Sequence, residues 1–175
     1  MKKSRIAIFL LMAVLLIFGY RYYKVNHNVP LHYAIEYYEN GDSVDCEGLK
    51  IKMLSTETRK SETTNKYGTE YIELVVSSEL ENTTSEVRNA IAFQESQIVI
   101  DYYGVYTGPV KIEKGDLKNI QPGEKIQTTQ VFRLEKERYE NGKDKMYMYF
   151  RENLYPNEIK DKFNEGIRYR KALKI

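Results

Sequence analysis

The chain has 175 residues, 27 of them basic and 25 acidic, for a formal charge of +2; it contains 16 tyrosines, no tryptophan and one cysteine. Five of the bases and none of the acids lie in the first 24 residues, so the remainder carries 22 bases against 25 acids and no basic nucleic-acid footprint. The lone Cys46 excludes an internal disulfide, which leaves a single domain of about 150 residues to be held by its apolar core.

Residues 1–24 read as a membrane anchor. An apolar run from Ile6 to Gly19 follows Lys2, Lys3 and Arg5 and ends in Tyr20-Arg-Tyr-Tyr-Lys24. Secretion signals share this layout, but their cleavage needs small residues in an A-x-A-like arrangement. Bulky Ile17 stands two places before Gly19, so an uncleaved anchor is expected over a cleaved signal. The run is short for a bilayer core, which takes ~20 helical residues. Tyr20, Tyr22 and Tyr23 extend it as an interfacial aromatic belt. Three bases before the run outweigh Arg21 and Lys24 after it, which predicts a single-pass cell-membrane protein with its C-terminal domain extracellular.

Residues 25–40 form a stalk or a first strand. Leu31, Tyr33, Ile35 and Tyr37 alternate with His32, Ala34, Glu36 and Tyr38, a strand period, although Pro30 and Gly41 would equally frame a short helix. Over 41–152 short strands follow one another. Val44 and Cys46 precede a turn at Glu47-Gly48, and Leu49, Ile51 and Met53 alternate with lysines. The polar stretch Ser55 to Asn65 is expected to be an exposed loop. Glu70 to Leu80 is the clearest strand, with Ile72, Leu74, Val76 and Leu80 on one face and Glu73, Ser77 and Glu79 on the other. Asn82-Thr-Thr-Ser85 turns the chain, and Val87–Phe93 and Gln97–Tyr103 are two further expected strands. Gly104, Gly108-Pro109 and Gly115-Asp116 punctuate a looser region before Gln121-Pro-Gly-Glu124 turns into a strand from Lys125 to Leu134. After Asn141-Gly142 a last strand, Lys145–Arg151, sets Met146, Met148 and Phe150 against Tyr147 and Tyr149.

Residues 153–175 read as a helical tail opened by Pro156, with Ile159, Phe163, Ile167, Tyr169 and Leu173 on one stripe. Its basic end, Arg168, Arg170, Lys171 and Lys174, is a solvated face or a segment that touches a partner or anionic headgroups. The fold class is therefore mainly β: an immunoglobulin-like antiparallel β-sandwich with an N-terminal transmembrane helix and a C-terminal helix.

Three pieces resemble the telokin-like, immunoglobulin-fold extracellular domains of Gram-positive surface proteins and lipoproteins of unknown function. They are Gly41-Asp-Ser-Val44 leading to Gly48-Leu-Lys-Ile51, the strand end Leu80-Glu-Asn-Thr83, and Ile120-Gln-Pro-Gly-Glu124 ahead of Val131-Phe132. The likeness spans roughly Asp42 to Phe150. It implies a sandwich outside the membrane with a binding role and supplies no catalytic residue.

The residues themselves offer no catalytic constellation. His27 and His32 precede Cys46 in one stretch and make a poor zinc set; Asp42, Asp45 and Glu47 fit a polar turn rather than a calcium loop. Asn82-Thr-Thr84 has the glycosylation pattern but reads as a turn. No enzyme activity, cofactor or metal is expected. Tyr102, Tyr103, Tyr106, Tyr147 and Tyr149, with Tyr23 and Tyr38, are candidates for a binding platform, and Arg168, Arg170 and Lys171 for its charged part. The expected function is a membrane-anchored extracellular binding module with a protein or cell-envelope partner. Alternatives are an immunity or envelope-stress accessory of a membrane complex, and a cell-wall hydrolase using Glu70, Glu73 or Glu95.

Overall fold

An apolar run without acids satisfies its backbone most simply as a helix. The computed structural model, which describes residues 2–27, 29–61, 68–108, 110–113 and 115–175, has α1 over Lys2–Asn26. Its stretch Ile8–Asn26 is long and apolar enough to cross a membrane, and none of that stretch is buried.

The strands follow as β1 (His32–Tyr38), β2 (Ser43–Cys46), β3 (Leu49–Lys60), β4 (Tyr71–Asn82), β5 (Gln97–Ile100), β6 (Tyr103–Tyr106), β7 (Lys111–Ile112), β8 (Lys125–Glu135), β9 (Met146–Tyr149) and β10 (Ile167–Lys174). Helix α2 (Lys136–Gly142) precedes β9, and α3 (Pro156–Asn164) precedes β10. Two five-stranded sheets result, in the orders β1-β10-β9-β5-β6 and β2-β3-β4-β8-β7. They form a mainly β sandwich.

Alternation along the strands places the core between the sheets. Leu74, Val76 and Leu80 of β4, with Ile126, Phe132 and Leu134 of β8, meet Ile98 and Ile100 of β5 and Met146 and Met148 of β9 in one buried cluster. Each fully buried large side chain contributes about 1.5–3 kcal/mol in transfer free energy. Glu73 and Glu79, on the opposite wall of β4, pair with Arg59 and Lys125 in solvent-facing ion pairs. The Glu47-Gly48 turn places both residues at positive φ, 55° and 83°, the mirror-type geometry that suits a two-residue hairpin.

Several expectations are corrected. Ser55 to Lys60 continue β3 instead of looping, because each pairs with β4, from Ser55 opposite Ser77 to Lys60 opposite Ile72. The rest of that expected loop, from 62 to 65, lies outside the described residues, as does Pro109. Val87–Phe93 is not a strand: Arg88 forms an isolated bridge to Ile120, and Ile91–Glu95 is a 3-10 turn that buries Phe93. Gln97–Tyr103 breaks at Asp101, whose φ of 52° starts a tight hairpin from β5 into β6, so Gly104 lies inside a strand. Asn141-Gly142 ends α2, a helix in the stretch after Leu134 for which no element is expected from the residue pattern.

The tail is helical only over Pro156–Asn164. Gly166, at φ 79°, stops the helix, and Ile167–Lys174 becomes β10. That stretch alternates as well for a strand as for a helix, and it gains partners on both sides. It pairs antiparallel with β9 and parallel with β1, so the sandwich is not wholly antiparallel and extends beyond residues 41–152.

Candidate partner-binding face

Residues directly opposite each other in a sheet project to the same side. The register of the first sheet therefore builds a row across its outer face: Tyr37, Ala172, Tyr149, Gln97 and Tyr106, one from each strand. The neighbouring row is Lys174, Tyr147, Val99 and Gly104. On the other flank Ile35 stands beside Arg170, and Tyr33 beside Arg168. The opposite parity of the same strands, Met146, Met148, Ile98, Ile100 and Leu173, fills the core.

Small residues separate large rings in these rows. Ala172 lets Tyr37 and Tyr149 approach, and a hydrogen bond to Tyr37 adds to burial in raising the Tyr149 phenol above its ordinary range. The Tyr37 and Tyr147 rings meet at 4.9 Å between centroids, tilted by 59°, within the contact range of aromatic pairs. The Gln97 side chain lies over Gly104, where an added Cβ would fall 1.8 Å from Nε2 and turn that amide aside. Tyr33, Tyr37 and Tyr106 remain 57%, 54% and 60% exposed.

The charges at this face sit mostly at its rim. Arg170 lies 3.5 Å from Glu152, Lys174 3.4 Å from Glu39, and Arg151 3.1 Å from Glu95. Arg168 is exposed and makes no ion pair among the described residues. A cavity of about 200 Å³ opens among Gln97, Tyr106, Tyr149, Arg151, Glu152 and Arg170.

Five residues picked out from the sequence, Tyr106, Tyr147, Tyr149, Arg168 and Arg170, thus share one surface. Three do not. Tyr102 caps the β5–β6 hairpin, fully exposed. Tyr103 has the opposite parity on β6, and its ring lies under the Arg138 guanidinium at 4.2 Å. Lys171 points inward with 5% exposure, 2.7 Å from Glu158 and 2.6 Å from the Asp45 carbonyl. Tyr23 lies on α1, stacked on His27, and Tyr38 has the inward parity of Glu36. The sequence reading missed Tyr33, Ile35 and Tyr37 as partners in the face, although the period of residues 31–38 already marked them as one side of a strand.

The carboxylates considered for hydrolysis do not converge. Glu70 pairs with Lys136, Glu73 with Arg59, and Glu95 with Arg151, in separate solvent-exposed pairs. Among the described residues no group of three or more His, Cys, Asp or Glu side chains is placed to hold a metal. Asp45 and Glu47 have backbone work instead. Asp45 accepts from the Gly48 N–H at 2.7 Å, and Glu47 accepts from the Glu158 N–H at 2.8 Å near the start of α3.

No protein-family model matches this chain, and no curated protein sequence matches it. Its architecture is similar to that of two solved structures. One is an uncharacterised β-sandwich protein from Clostridium difficile, at 12% identity and a TM-score of 0.50, covering 81% of this chain and 96% of that one. The other is a functionally unknown protein from Listeria monocytogenes, also at 12% identity and a TM-score of 0.50, covering 62% and 68%. At this identity the likeness is one of fold.

Proposed function

We propose that the protein is a membrane-anchored extracellular binding module, without catalytic activity, that receives a protein or cell-envelope partner on the outer face of its first sheet. The observation that carries this reading is the row Tyr37–Ala172–Tyr149–Gln97–Tyr106. Tyrosine and arginine are enriched at the energetic centres of protein interfaces, tyrosine because it brings large area at low entropy cost together with a polar tip. Here they stand on strands, which hold them more rigidly than loops. The apolar α1 supports the anchor, and the charge distribution around its apolar run supports export of the sandwich. The sequence motifs extend the reading to a telokin-like, immunoglobulin-type extracellular domain.

The test uses a photoreactive residue in place of Tyr106 in intact cells, with the same group at Glu81, on the outer side of the second sheet, as control. Crosslinks from position 106 to one partner, lost in the Tyr37→Ala/Tyr149→Ala double variant at unchanged melting temperature, are expected. Equal crosslinking from both positions, or none from either, would overturn the assignment of the face.

A further inference from the structure

The tether between α1 and the sandwich is short. Helix α1 ends at Asn26 and β1 begins at His32, so residues 27–31 span the whole gap. Five extended residues reach about 17 Å. Whatever surface α1 emerges from lies within that distance of the start of β1.

Other parts of the fold are drawn to the same end. The His32 N–H donates to the Gly166 carbonyl at 3.3 Å, and His32 stands in parallel register with Ile167. The end of α3 and the starts of β1 and β10 are thus side by side. They present Leu31 at 90% exposure, Phe163 at 48% and Tyr33 at 57%. Leu31 and Phe163 border one open hollow of about 460 Å³, together with Val29 and His27. Charge at this end is mixed. Lys162 is matched by Glu165 at 2.9 Å, Asp161 and Lys160 lie on the same helix, and Arg168 beside Tyr33 has no ionic partner among the described residues.

We propose that this end of the domain rests on the lipid surface from which α1 emerges. Leu31 and Phe163 enter the boundary between headgroups and acyl chains, and Arg168 meets the headgroup phosphates. Exposed apolar chains around a basic group are the composition of interfacial contacts, and the short tether keeps that interface within reach. This rests on the anchor reading given above. With β1 and β10 both starting at the lipid, the outer face of the first sheet rises from the surface, and the β5–β6 hairpin tip at Tyr102 lies at the far end.

The full chain is reconstituted into vesicles of equal parts phosphatidylglycerol and phosphatidylcholine, with an environment-sensitive fluorophore on Leu31→Cys, Phe163→Cys or Tyr102→Cys. Native Cys46 is buried and stays unlabelled in the folded chain, which also reports that each variant has folded. The labels at 31 and 163 are expected to emit to the blue of the label at 102. They should also be quenched about twofold or more by lipids carrying a shallow quencher, and Arg168→Glu should reduce that quenching. Labels at 31 and 163 as wet as the one at 102, in a chain that resists carbonate extraction, would overturn the docking while sparing the anchor. Extraction by carbonate would instead overturn the anchor itself. A blue shift that disappears as the chain is diluted with lipid would assign the surface to a second copy and overturn the proposal.

Discussion

The Nζ of Lys171 lies 2.7 Å from a carboxylate oxygen of Glu158, joining β10 to α3 at a point where the lysine side chain is only 6% exposed. The same ammonium donates to the Asp45 carbonyl of β2 and stands over the Tyr155 ring at 5.2 Å. One cation therefore ties β10 of the first sheet and β2, an edge of the second, to α3.

Replacing Lys171 with Met keeps most of the volume but leaves the Asp45 carbonyl and the Glu158 carboxylate without their donor. Because Glu158 can still reach water, the expected cost is about 2–3 kcal/mol, below that of a fully buried broken pair. Urea denaturation of the reconstituted chain measures it; a change within ~0.5 kcal/mol, typical of surface sites, would show that the pair is idle.

Burial pushes the Cys46 thiol above its ordinary 9.0 to about 12. An acid whose folded pKa is raised keeps its proton longer when folded than when unfolded. Stability is thus unaffected below pH 9 and falls between 9 and 12, by up to roughly 1.4 kcal/mol per pH unit. Tyr155, raised chiefly by burial, adds to the loss from its ordinary 10.0 upward. Alkaline unfolding that begins near pH 9 and flattens in its first part in Cys46→Ala is expected from circular dichroism titration; identical profiles for both chains would contradict the assignment.

Asn82 is fully buried, and its side-chain amide donates to the Glu86 and Ile120 carbonyls while its oxygen accepts from the N–H and hydroxyl of Thr84. Asn82→Ala should cost about 2–4 kcal/mol by stranding these groups. Asn82→Asp should cost at least as much, since a carboxylate would face two carbonyls. The order of the two melting temperatures checks the point. A milder effect for Asp than for Ala would mean that the acceptor side governs the turn.

Gly48 combines a positive φ of 83° with a contact that leaves no room for a side chain. An added Cβ would fall 2.3 Å from the Thr84 methyl group. Gly48→Ala should lower stability by more than ~1 kcal/mol, and Thr84→Ser in the same chain should recover part of that loss. Thermal melts of the single and double variants decide it; no recovery would place the whole penalty in the backbone.

Strands with one dry and one wet wall were legible from residue pattern alone. Leu74, Val76 and Leu80 against Glu73 and Glu79 reveal β4, and Met146 and Met148 against Tyr147 and Tyr149 reveal β9. Tyr147 and Tyr149 of the candidate face followed from the second of these. β10 was not legible, because Ile167, Tyr169 and Leu173 suit a helical stripe as readily as an alternating strand; what decides is pairing with β1 and β9, which lies outside any local window. The same holds for Ser55–Lys60, exposed on both walls and held as a strand only by β4. Tyr37 and Tyr38 show the remaining difficulty: two adjacent aromatics do not reveal which one faces inward.

The parallel ladder of β1 with β10 sets an order of assembly. A ribosome makes β1 before every other strand and its partner after them all. At about 5–20 residues per second, the first strand waits on the order of ten seconds for hydrogen-bonding company. Until β10 is made, β1 and β9 both remain bare edges, open to the wrong neighbour. Prematurely terminated products without β10 would therefore be sticky at two places at once, a signature that proteases and chaperones can act on.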